Sequence, residues 1–396
     1  MNNITNRWLL PEGIHELLPP QSEHLEYLCR KLIDLYQSWG YRLVITPLIE
    51  YLDSLLTGTG EDLELQTFKL TDQLSGRTMG VRADITPQVA RIDANKIRQD
   101  CPTRLCYLGT VLHTRAGNTG ENRSPLQVGA ELYGHEGIES EAEILCLMLE
   151  TLSVAGVENN FIDLGHVGIY QILVENADLT TEQETRLFDI LQRKSGADLE
   201  EFFQSVDQPE NIIESIRYIM NASGGLEIIA EAREKLSGIT PIIDCLDEIE
   251  GLVEKVEHRF PGVNFNVDLT ELRGYHYYTG LVFTAYVKDR GQGIAFGGRY
   301  NNIGKAFGRS RPATGFSTDV RLLLELSSTE FSPKKGILAP PSDEPALLDF
   351  INTLRQQGEC VVCGLPGQDG PAVELQCDRQ IKKEKGKWVV QDLKKS

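Results

Sequence analysis

The chain has 396 residues, with 39 Lys plus Arg against 58 Asp plus Glu and a formal net charge of −19. That length exceeds one typical domain and predicts two or three. The acidic balance repels phosphate backbones at long range and argues against non-specific nucleic-acid binding, leaving only a local basic patch for such a partner. Residues 1–8 lack the basic-then-apolar layout of a secretory signal, and no run of about 18 apolar residues occurs, so a soluble cytoplasmic protein is expected. The eight cysteines, at 29, 101, 106, 146, 245, 360, 363 and 377, are too scattered for a disulfide framework. Cys360 and Cys363, with Cys377 beyond, stand in a strand-like run where residues three apart face opposite sides, so neither a metal nor a cofactor is expected.

In chain order, Leu25, Leu28, Leu32, Leu35 and Trp39 recur at three- and four-residue spacing and Gly40 follows, which predicts an amphipathic helix from Pro20. Tyr41 to Ile49 reads as a strand containing Pro47. Gln66 to Leu70 and Thr78 to Ala83 read as strands joined by a Ser75-Gly76 turn, and Thr86-Pro87 opens a helix to about Lys96. Asp84 is a favoured helix cap as well as a candidate ligand group. Arg104 to Leu112 and Pro125 to Gly134 are strand-like arms around a polar loop, Ala116 to Arg123. Gln127, Gly129 and Glu131 fall on one face of the second arm, placing an amide and a carboxylate side by side with a glycine between them to admit a ligand. A helix from Ser140 to Leu152 and a strand from Asn160 to Gly165 come next. Gly168 to His258 is mostly helical, broken at Ser195-Gly196 and Ser223-Gly224-Gly225.

The stretch Leu272-Arg273-Gly274-Tyr275-His276-Tyr277-Tyr278-Thr279-Gly280, with Phe283 beyond it, gathers one guanidinium and adjacent phenols around a tight turn. Arginine matches a carboxylate with a planar fork, and tyrosine pairs an apolar ring with a hydroxyl that donates or accepts, a combination suited to an amino acid. Gly297-Gly298-Arg299-Tyr300 follows, and Gly315 to Arg321 opens a helix to Leu326. The segment from Phe331 contains a strand at Ile337 to Ala339, a helix at Pro345 to Gln356 and strands near Cys360 and Trp388.

These motifs resemble the histidyl-tRNA synthetase family over roughly residues 8 to 325. The 272–280 stretch is similar to its Arg-Gly-x-x-Tyr-Tyr signature, Gly297 to Tyr300 to its Gly-Gly-Arg-Tyr-Asp, Arg82-Ala83-Asp84-Ile85-Thr86 to its Arg-Pro-Glu-Gly-Thr, and Gln127 to Glu131 to its Gln-Leu-Gly-Cys-Glu. The resemblance implies an α+β fold of the class II synthetase type, an antiparallel sheet flanked by helices. Residues 1–166 and 259–330 would form the histidine-binding, dimerising core, 167–258 a helical insertion, and 331–396 a truncated anticodon-domain-like segment. It assigns Asp84, Thr86, Gln127, Glu131, Arg273, Tyr277 and Tyr278 to histidine, with Arg273 on the carboxylate.

The pattern breaks where ATP would bind. Histidine stands at 113 and arginine at 115, where the family's second motif has an α-phosphate arginine and an adenine-contacting glutamate. Arg321 arrives one residue early in the third motif, a rotation of about 100 degrees on a helix. Arg115, two residues from His113, is a candidate further ligand contact. A chain keeping the histidine half and losing the ATP half resembles the regulatory subunits of ATP phosphoribosyltransferase, the catalytically inactive synthetase-like family of histidine biosynthesis. That resemblance implies L-histidine as ligand, the short-form catalytic subunit as partner, and a homodimer within a hetero-octamer. The other readings are an active or tRNA-binding synthetase, which pyrophosphate exchange separates, and another amino-acid sensor.

Overall fold

The computed structural model describes residues 8–58, 61–115, 122–272, 274–275, 277–288, 290–367 and 375–393. The predicted ligand residue Arg273 and positions 116–121 of the polar loop lie outside the described residues. Two compact units are present, Met1–Thr329 and Glu330–Ser396.

The first unit begins with α1 (Gln21–Ser38), β1 (Arg42–Leu43), β2 (Ile49–Tyr51), α2 (Leu52–Leu55), α3 (Glu61–Gln66), β3 (Phe68–Thr71), β4 (Thr78–Val81) and α4 (Thr86–Ile92). β5 (Thr103–Thr110), β6 (Leu126–Tyr133), α5 (Glu139–Val154) and β7 (Asn160–His166) follow. A helical stretch holds α6 (Val167–Asn176), α7 (Thr181–Arg193), α8 (Gly196–Gln204), α9 (Glu210–Asn221), the short β8 (Ser223–Gly224), α10 (Glu227–Lys235) and α11 (Thr240–Arg259). The unit closes with β9 (Phe265–Asp268), β10 (Leu281–Val287), β11 (Gly293–Arg299), α12 (Ile303–Ala306), β12 (Ala313–Asp319) and α13 (Val320–Leu326).

A nine-stranded sheet in the order β1-β5-β6-β12-β11-β10-β7-β9-β8 organises this unit, antiparallel from β5 to β7. Its period-two alternation separates two cores. Val128, Ala130 and Leu132 of β6 and Phe316 of β12 face one side and pack with Leu28, Leu32 and Tyr36 of α1 and the apolar length of α5. Glu131 and Gly129 face the other side, as do their cross-strand partners Gly315 and Ser317. There a smaller core of Ile85, Val89, Leu105, Tyr107, Tyr133 and Tyr300 lies beneath the site. α1 forms as predicted, with Leu28, Leu32 and Tyr36 buried at four-residue spacing and Gly40 following at φ +83°. α5 is buried on nearly every side because it lies between the sheet and α11.

Some segments differ from expectation. Residues 41–49 do not form one strand: β1 and β2 lie in separate sheets, and 44–48 between them is not strand. Gly315–Asp319 is strand rather than the start of a helix, since β12 is hydrogen-bonded on both sides by β11 and β6; α13 begins only after Asp319, whose Oδ1 accepts from Arg321 N at 3.0 Å. Ser223-Gly224 is not a simple helix break but a strand paired with β9. Gly293, Gly297 and Gly298 belong to central strand β11, where the ring of Phe283 fills the space over Gly297 and that of Phe296 the space over Gly293. In a buried strand these glycines admit neighbouring rings.

In the second unit, β13 (Gly336–Ala339), α14 (Pro345–Gln356) and β14 (Val361–Cys363) form a parallel βαβ turn, and the hairpin β15 (Cys377–Glu384) and β16 (Lys387–Asp392) completes the sheet order β14-β13-β15-β16. Ile337, Leu347, Ile351, Val361 and Ile381 make its core.

Candidate functional site

A cavity of about 1100 Å³ opens on the sheet face that carries Glu131. Its floor is β6 and β12. Glu131 is 1% exposed, and its carboxylate occupies the space that a side chain at Gly315 would fill, so glycine is needed opposite it. Tyr107 Oη donates to Glu131 Oε1 at 3.1 Å, and Tyr300 Oη donates to Oε2. Burial pushes the Glu131 carboxyl up to about 8, with the nearby Asp84 adding to the effect and the hydroxyls of Tyr300, Tyr107 and Thr86 opposing it. Burial, and then the charge of Glu131, hold the phenols of Tyr107, Tyr277 and Tyr300 far above the usual tyrosine range.

The second carboxyl stands at the turn between β4 and α4. Asp84 Oδ1 accepts from Thr86 N at 3.0 Å, Thr86 Oγ1 at 3.1 Å and Gln127 Nε2 at 2.8 Å. Asp84 thus ties down the first turn of α4 and also lines the cavity. Thr86 Oγ1 lies 3.1 Å from Tyr107 Oη, so the two hydroxyls draw Glu131 and Asp84 into one contiguous polar cluster.

Tyr277 and Tyr278 form the opposite wall. Tyr277 stacks on Tyr300 with centroids 4.9 Å apart at 24°, and meets Tyr278 edge-on at 5.2 Å and 79°. The Tyr277 hydroxyl is buried and has no hydrogen-bond partner among the described residues. An acceptor brought by a ligand would satisfy it.

Asp84, Thr86, Glu131, Tyr277 and Tyr278 therefore converge on one cavity. Gln127 does not line it. Its Oε1 accepts from Ile85 N at 2.9 Å and its Nε2 donates to Asp84, so it buttresses the turn from behind. Gly129 admits no ligand either, because the Tyr107 ring occupies the space above it. Arg115, the candidate further contact, is exposed, lies beyond the end of β5 at Thr110 and does not line the cavity. Arg321 turns to the N-terminal segment and donates from Nη1 to His15 O at 3.1 Å. His113 places Nε2 2.9 Å from Ala83 O, and Arg299 is buried against Glu141. No arginine or lysine among the described residues lines the cavity.

Three further contributors line or support the cavity. Tyr300 was visible only as part of a motif, and Tyr107 emerges from the pairing of Tyr107 with Gly129 across β5 and β6. The third is the stripe Thr185, Phe188, Asp189 and Gln192 of α7, which forms the outer wall and shares one helix face by its i, i+3, i+4, i+7 spacing. The same helix fastens the signature loop: Tyr275 Oη donates to Glu184 Oε1 at 2.9 Å, and its ring packs on Tyr170 and Phe188 with centroids at 5.0 and 5.4 Å.

Among known proteins, the family described as histidyl-tRNA synthetase matches residues 13–323, and the ATP phosphoribosyltransferase subunit HisZ C-terminal domain matches residues 334–391. The ATP phosphoribosyltransferase regulatory subunit of Thioalkalivibrio sulfidiphilus is 53% identical over 392 residues, covering 98% of this chain and 99% of the relative. The chain belongs to the ATP phosphoribosyltransferase regulatory subunits. The regulatory subunit of Nitrosococcus oceani is 50% identical, covering 99% of this chain and 98% of its own length. Among solved structures, an ATP phosphoribosyltransferase regulatory subunit/histidyl-tRNA synthetase from Bacillus halodurans superposes with a TM-score of 0.81 at 26% identity, covering 94% of this chain and 97% of that one. The histidyl-tRNA synthetase of Nostoc sp. shares the fold at a TM-score of 0.76 and 18% identity, with 97% of each chain covered. As a member of the regulatory-subunit family the protein is a regulatory, non-catalytic subunit of histidine biosynthesis with a class II synthetase-like fold.

Proposed function

We propose that this regulatory subunit binds free L-histidine in the cavity around Glu131 and pairs, as a homodimer within a hetero-octamer, with the short-form catalytic subunit of ATP phosphoribosyltransferase. There it activates the first step of histidine biosynthesis and carries histidine feedback to it. One observation supports the reading most: a buried carboxyl, Glu131, and a buried hydroxyl without a partner, Tyr277, share a cavity that no described cation lines. Neutral imidazole has one N–H and one bare ring nitrogen, so it donates to Glu131 while accepting from Tyr277. Asp84 and Thr86 suit the ammonium group. Arg273, assigned on sequence alone, suits the carboxylate.

Activation of an amino acid by ATP needs fixed cations on the phosphates. His113 is turned to a carbonyl and Arg321 to the N-terminal segment, which supports a site that binds histidine without adenylating it. The test is calorimetric titration of L-histidine into the isolated chain, alongside histidine-dependent pyrophosphate exchange. Saturable histidine binding without exchange is expected. Absence of histidine binding, or exchange well above background, would contradict the proposal.

A further inference from the structure

His113 stands where the synthetase motif has an arginine, yet its ring is not idle. Nε2 lies 2.9 Å from Ala83 O. A carbonyl only accepts, so the ring must carry its proton on Nε2. Ala83 is 5% exposed and immediately precedes Asp84. The His113 backbone that carries the ring is itself fixed: His113 N donates to Arg123 O at 2.8 Å, Arg123 Nε donates to His113 O at 3.0 Å, and the residue bridges to Thr67.

The turn that carries Asp84 and Thr86 is thereby gripped from both sides. Segment 110–113 holds one side: Leu112 N donates to Arg82 O at 3.0 Å, Arg82 Nε donates to Thr110 O at 2.8 Å, and His113 holds Ala83. Gln127 holds the other through Ile85 N and Asp84 Oδ1. Removing the His113 bond leaves the Ala83 carbonyl facing a hole at the base of the turn, one residue from the carboxylate that the cavity presents.

We propose that His113 is a positioning residue of the ligand site: its imidazole holds the Ala83 carbonyl and so fixes the turn from which Asp84 and Thr86 reach the amino group of the ligand. The residue that ends phosphate binding at this position serves instead as a strut for the amino-acid half of the site. This inference rests on the reading that Asp84 and Thr86 meet histidine.

The experiment compares L-histidine with its deaminated analogue imidazole-4-propionate by calorimetry on wild-type, His113→Ala and His113→Gln proteins. His113→Ala should weaken histidine binding about three- to tenfold, the cost of re-ordering on binding a turn released by the loss of one hydrogen bond, and should reduce the preference for histidine over the analogue by the same factor. His113→Gln, whose amide also donates, should stay within about twofold of wild type. If the alanine variant does not fold, His113→Leu replaces it against the same Gln control. Unchanged histidine affinity in the alanine or leucine variant overturns the proposal, as does a Gln variant as weak as Ala, or an equal loss for both ligands. Wild-type protein that binds no histidine overturns the site reading itself, a separate outcome from a variant that binds like wild type.

Discussion

Tyr277→Phe should move stability and ligand affinity in opposite directions. The ring contacts, 4.9 Å to Tyr300 and 5.2 Å to Tyr278, survive in phenylalanine, so the substitution removes only a hydroxyl that is buried and without a partner among the described residues. A buried unsatisfied polar group costs about 1–3 kcal/mol, and relief of roughly 1 kcal/mol of that should raise the Tm of the ligand-free protein by about 1–3 °C. In the proposed histidine complex the same hydroxyl donates to the imidazole. Its loss should then weaken binding by about 1 kcal/mol, roughly fivefold. Thermal melts with and without saturating histidine, paired with calorimetry, read both effects. A variant that is less stable when empty and binds histidine as wild type does would refute the assignment of this hydroxyl to the ligand.

Glu131→Gln tests the raised carboxyl. Between the ordinary value of 4.5 and the folded value of about 8, the folded state holds a proton that the unfolded state has released. Stability from this group is therefore lost as pH rises through that window, by up to about 1.4 kcal/mol per pH unit. Glutamine does not ionise, so the stability advantage of the variant over wild type should widen from pH 4.5 to about pH 8 and then level off; a gap independent of pH in denaturant melts would argue against it. Arg273→Ala should weaken histidine binding at least about tenfold by calorimetry, since loss of one partner of a charged hydrogen bond costs roughly 2–5 kcal/mol. His113→Arg should not produce pyrophosphate exchange, because Arg321 stays bound to the His15 carbonyl and the adenine contact is absent. Glu141→Leu should destabilise the first unit by about 3–5 kcal/mol in denaturant melts, since it strands the buried Arg299 guanidinium.

α1 was legible from helical periodicity, whereas the antiparallel sheet and the convergence of Asp84, Thr86, Glu131, Tyr277 and Tyr278 were legible only through the family motifs in which those residues stand. What escaped depended on pairing between strands. That Gly129 makes room for Tyr107, and Gly315 for Glu131, follows only from the register of β5, β6 and β12. Gln127 shares a strand face with Glu131 as expected, yet the nearby Asp84 and Ile85 take both of its polar atoms. The wall supplied by α7 comes from a segment far away in the chain whose exposed face reads as ordinary surface. β11 carries three glycines, whose place in a strand shows only once the rings of Phe283 and Phe296 are set over Gly297 and Gly293.

In the proposed role the Glu131 cavity senses histidine on behalf of a catalytic partner. The most direct measurement is the histidine inhibition curve of ATP phosphoribosyltransferase reconstituted with wild-type protein and with Glu131→Ala, after calorimetry has measured histidine binding to each. The variant should bind histidine at least about tenfold more weakly, and its inhibition curve should shift to higher histidine by the same factor. A variant that has lost histidine binding while its complex is inhibited at the wild-type histidine concentration would contradict the proposed role, placing the feedback signal on the catalytic subunit.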